Sequence, residues 1–120
     1  MILVRQEAIT ADGRIKRWRR PSADGIFYQV KLSLDDDPAE LAEVERVVYQ
    51  VTSQGGLVVA PSTRPHHRFA AALWARPPAS ISAVVEFLAG SPRRVEAELA
   101  LDLPADDGTN YEDVDLRYAF

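Results

Sequence analysis

Cysteine is absent from the 120 residues, which removes disulfide frameworks, thiol nucleophiles and cysteine-bound zinc together. No apolar run approaches the roughly 20 residues of a membrane helix. Met1–Glu7 has neither the basic segment nor the apolar stretch of a signal peptide. Lysine is scarce, with Lys16 and Lys31 the only two among 14 basic residues. Beside abundant arginine and alanine, that scarcity points to a GC-rich genome and says nothing of function. A cytoplasmic protein of a prokaryote is the expectation. The formal charge of −4, from 18 acidic and 14 basic residues, argues against nucleic acid as the main ligand.

What is present fits one globular domain spanning residues 1–120. Hydrophobic residues make up 47% and charged residues 27%, and a chain of this length buries roughly two thirds of its unfolded surface. Strand signals outnumber helix signals throughout. Ile2, Val4, Gln6 and Ala8 alternate with Leu3, Arg5, Glu7 and Ile9. Asp12-Gly13 supplies a hairpin turn, since both residues tolerate positive φ. The return strand Arg14–Arg20 alternates basic and bulky residues, and Pro21–Gly25 reads as a loop. Tyr28, Val30, Leu32 and Leu34 mark a strand of period two. Asp35–Asp37 ends it and offers an N-cap to a short helical turn, Pro38–Glu43. Further strands are expected at Val44–Val51, Leu57–Ala60, Phe69–Trp74, Ile81–Phe87, Val95–Leu103 and Val114–Phe120. Pro61 and Pro77-Pro78 read as strand breakers. So many short strands, separated by Gly, Pro and Asp, predict an all-β fold, an antiparallel β-sandwich.

From Tyr28 to Leu103 the chain also resembles a known family. Tyr28–Leu34, an acidic Pro-containing spacer, and the spacing of Val44, Val47, Tyr49 and Val51 are similar to the opening of a YEATS domain of the divergent prokaryotic branch. Leu73-Trp74-Ala75 is similar to that family's aromatic-centred turn. Ile81–Phe87 followed by Ala89-Gly90, and the closing alternation Val95–Leu103, extend the likeness. The resemblance implies an immunoglobulin-like β-sandwich and a non-catalytic protein-binding module, within a signalling or defence-associated system. Eukaryotic members read acylated lysine between aromatic faces on two loops. Here the first such loop is Thr52-Ser53-Gln54-Gly55, without the family's His and Phe. The second is Leu73–Pro77, which keeps only Trp74. The cage is mostly missing, so the resemblance implies a protein or peptide partner met by Thr52, Ser53, Gln54, Gly55 and Trp74, rather than acyl-lysine reading.

Arg14, Lys16, Arg17, Arg19 and Arg20 around Trp18 form the one basic concentration in the sequence. It protects a sheet edge or, as an alternative, binds an anion. Exposed strand edges and this hairpin also leave self-association open as a second reading. His66 and His67 alternate to opposite sides between arginines, which disfavours metal. Asp102–Asp113 resembles a calcium loop, but Leu103 stands where an acid is required. No elbow or frame positions a nucleophilic serine. No catalytic residue, metal or cofactor is expected, and no enzyme.

Overall fold

Alternation decides the architecture. The computed structural model describes residues 2–19, 25–53, 56–63 and 65–114. Over these the order is β1 (Leu3–Ala8), β2 (Thr10–Ala11), β3 (Arg14–Arg19), β4 (Ile26–Asp35), α1 (Pro38–Leu41), β5 (Val44–Ser53) and β6 (Gly56–Ser62). A 3₁₀ turn (Pro65–His67) then precedes β7 (Ala71–Ala75), β8 (Ala79–Phe87), β9 (Arg93–Glu98) and β10 (Tyr111–Asp113). The strands form an all-β sandwich of two sheets. Sheet A holds β1, β2, β3, β4, β7 and β10, and sheet B runs β6-β5-β8-β9. All pairings are antiparallel except that of β10 with β3, which is parallel. The expected antiparallel β-sandwich is thus observed, with one parallel pairing at that edge.

The inner faces carry the residues that the period-two patterns single out. Val30, Leu32 and Leu34 of β4 meet Val47, Tyr49 and Val51 of β5, with Ile81, Ala83 and Val85 of β8 completing the layer. Val44 and Val47 are three residues apart yet both buried. A shift of register between Val44 and Arg46 adds the extra residue that lets both point inward. α1 begins as its sequence dictates: the Asp37 carboxylate accepts from the Glu40 N–H at 2.8 Å, and Pro38 follows in the first turn.

Three strand expectations are revised. The alternation Val95–Leu103 is a strand only to Glu98: the Leu99 N–H donates to the carbonyl of Ala79, where β8 begins, and the next N–H, of Ala100, turns to Gln6 Oε1. A strand not expected, Tyr111–Asp113, ends just before Val114, and residues 115–120 of the expected Val114–Phe120 lie outside the described part. Pro61 does not break a strand. It sits within β6, which ends sheet B, where a missing N–H costs no ladder bond.

One side chain ties the sheets together at the β1–β9 side. The Gln6 amide donates to the Glu98 carbonyl at 2.9 Å and accepts from the Ala100 N–H at 2.7 Å, as a paired strand would. Gln6→Leu removes both bonds, and we expect it to lower stability by about 1–2 kcal/mol, read by urea unfolding. An unchanged midpoint would show that the bridge contributes nothing.

Candidate functional site

The residues singled out by the sequence do not share one surface. Thr52 and Ser53 end β5, where Ser53 pairs with Gly56 on one side and Ala79 on the other. Thr52 follows buried Val51 and is exposed on the outer side of sheet B. Gln54 and Gly55 lie outside the described residues. Trp74 is not in a turn. It lies within β7, opposite Gln29 of β4, between buried Leu73 and Ala75. Alternation therefore turns its indole to the outer side of sheet A, away from Thr52. The expected two-loop contact surface is corrected for its described members: Thr52 and Trp74 face opposite sides of the sandwich.

Trp74 instead belongs to an aromatic cluster on the outside of sheet A. Trp18 of β3 pairs with Phe27 of β4, and their ring centroids are 5.7 Å apart. The Trp18 and Trp74 rings meet edge-on, with centroids 6.4 Å apart and an interplanar angle of 69°. Phe27 is only 5% exposed, although it lies outside the main core, and both indoles are half-buried. This is a satellite cluster of the kind that covers a sheet's outer face. Phe27 was not singled out from the sequence. What identifies it is the antiparallel register of β3 with β4, which sets Phe27 opposite Trp18.

The basic hairpin divides in the same way. Arg14, Lys16 and Trp18 point to the outer face, while Ile15 and Arg17 point to the other. The Arg17 guanidinium is engaged within the fold, which corrects its place in an anion patch. Nε donates to Asp113 Oδ1 at 2.6 Å and Nη2 to Asp106 Oδ2 at 2.9 Å. The same group lies 4.6 Å from the centre of the Tyr111 ring. The side chain of Arg19, and all of Arg20, lie outside the described part.

These contacts fasten residues 99–110, which have no regular structure, onto sheet A. The Tyr111 hydroxyl donates to the Pro104 carbonyl at 2.5 Å, and Asn110 Nδ2 to the Ala105 carbonyl at 2.8 Å. Hydrogen bonding from the Gly108 N–H, followed by Arg17, holds the Asp106 carboxyl below the usual range. The Thr109 hydroxyl and N–H do the same for Asp107. The calcium-like spacing is thus a turn closed on its own N–H groups. Among the described residues, no three His, Asp or Glu side chains converge as a metal site. No helix of that part is long and apolar enough to cross a membrane.

No family model, no curated protein and no solved structure matches this chain. The geometry of its own surfaces therefore bears the functional argument.

Proposed function

We propose that this chain is a non-catalytic protein-binding module, of the prokaryotic YEATS-like type its sequence resembles, acting in the cytoplasm as part of a signalling or defence-associated system. The supporting observation is the aromatic cluster on the outer side of sheet A. Trp74 lies outside the main core and half-buried, on a rigid strand, where an indole is the commonest anchor for a partner. The cluster also bears on acyl-lysine reading. Trp18 and Trp74 touch edge to face, so no flat slot opens between parallel rings for an amide. This agrees with the loss of the loop His and Phe from the resemblance.

A photo-crosslinking residue at Ala72, on the same face of β7 as Trp74 and leaving Trp74 in place, expressed in the host, tests the reading against the same residue at exposed position 52. We expect a discrete adduct from position 72 alone. Adducts from both positions, or from position 52 only, would overturn it. One observation favours self-association as a second reading: Leu57 and Val59 are 61% and 51% exposed on β6, a terminal strand of sheet B. Light scattering at two concentrations would then show an oligomer that Val59→Lys dissolves.

A further inference from the structure

A groove of about 580 Å³ crosses the outer side of sheet A, beyond the aromatic cluster. The register explains its form. Arg5 of β1 stands opposite Ser33 of β4; in the next row Glu7 stands opposite Lys31, and Lys31 opposite Ala72 of β7. With alanine at positions 70, 71 and 72, the side-chain layer thins along β7. The longer cationic side chains therefore stand around a depression. Arg68 closes one end. Its backbone and that of Phe69 have φ of 54° and 55°, a conformation costly for side chains of this size. It is fixed on both sides: the Arg68 carbonyl accepts from the Leu34 N–H at 2.9 Å and the Phe69 carbonyl from the Tyr49 hydroxyl at 2.8 Å. The half-exposed Arg68 side chain thus projects from an anchored turn.

The charge of the groove is what a ligand would meet. Arg5, Lys31 and Arg68 face one lining carboxylate, Glu7, which holds the Lys31 ammonium at 3.2 Å. Arg68 Nη1 donates to the Asp36 carbonyl at 3.3 Å and lies 4.0 Å from Asp35. Arg5 makes no ion pair among the described residues. The hydroxyl-bearing Ser33, 4% exposed, also lines the groove. The volume falls within the range of small-molecule sites, but the lining is cationic rather than apolar. Two guanidinium forks and an ammonium on three separate elements suit paired oxyanions.

The geometry points to a binding site for a small molecule carrying two or more anionic groups, carboxylate or phosphate, held by Arg5, Lys31 and Arg68. Glu7 is its internal competitor for Lys31. This site stands apart from the protein-partner reading, which rests on Trp74, so either can fail alone.

Amide NMR titration of the whole chain with citrate and with tripolyphosphate, at low salt, tests it. Saturable shifts are expected at Arg5, Lys31, Arg68 and residues 70–72. Arg5→Gln and Arg68→Gln should each weaken binding about tenfold, the effect of losing one charge-assisted contact. Glu7→Gln should tighten it, and Arg14→Gln, which makes the same change in net charge as Arg5→Gln but outside the groove, should leave it unaltered. A response to only one of the two probes supports the site and names carboxylate or phosphate as its ligand chemistry. Silence toward both at millimolar concentration would overturn the proposal. So would weakening by Arg14→Gln equal to that by Arg5→Gln, which would mark a diffuse charge effect.

Discussion

Tyr49→Phe is expected to destabilise the protein by about 1–3 kcal/mol, and Tyr49→Ala by about 3–5 kcal/mol. Tyr49 has no exposed surface, and its hydroxyl donates to the Phe69 carbonyl across 2.8 Å. That carbonyl belongs to a residue with positive φ that is itself fully buried. Phenylalanine leaves the buried acceptor without its partner at the point where the backbone is most strained. Alanine adds a cavity between the sheets. Urea unfolding of the two variants separates the terms. A Tyr49→Phe midpoint equal to that of the parent would show that the bond does not hold the turn.

The same residue predicts behaviour in alkali. Burial pushes the Tyr49 phenol above its ordinary value of 10.0, so the native state keeps a proton that the unfolded chain gives up. Its contribution is complete below about pH 10 and declines as pH rises further. The parent should lose stability in that window more steeply than Tyr49→Phe does.

Arg17→Met is expected to release the segment from Pro104 to Val114, with amide exchange there about tenfold faster, while β5 and β8 keep their protection. The substitution retains an unbranched apolar stem but removes the donors to Asp106 and Asp113 and the charge over Tyr111. The backbone bonds Ile15 N–H to Asn110 O and Val114 N–H to Arg17 O remain, so the effect is local. Acid should act similarly. The Asp106 carboxyl is held below its ordinary 3.8, so its contribution is present above about that pH and is lost as pH falls through the lower folded value. Faster exchange spread evenly over both sheets would contradict a local latch.

How much of this was legible in the sequence follows from the range of each interaction. β4 and β8 announce themselves because both faces of each strand are written in consecutive residues. The Asp12-Gly13 hairpin and the Asp37 cap are equally local. The strand expected over Phe69–Trp74 contains Trp74, but the likeness of Leu73–Pro77 to the family's second loop points to a loop there, whereas pairing with β4 extends β7 to Ala75. The alternation of Val95–Leu103 outlasts its strand because Gln6, from the other sheet, takes the Ala100 N–H. That alternate residues of the basic hairpin part to two faces follows from strand alternation alone. What the sequence hides is that Arg17 finds acids from the far end of the chain. The cationic groove was invisible for the complementary reason: Arg5, Lys31 and Arg68 are distant in sequence and meet only through the register of β1, β4 and the turn before β7.

The central claim is that Trp74 serves a partner and not the core. It is tested most directly by measuring, for Trp74→Ala, both urea stability and recovery of the adduct from a photo-crosslinker at neighbouring Ala72. The account expects a loss of stability below the roughly 3–5 kcal/mol typical of a core tryptophan, together with disappearance of the adduct. A core-sized loss of stability, or a folded variant that still yields the adduct, would contradict it.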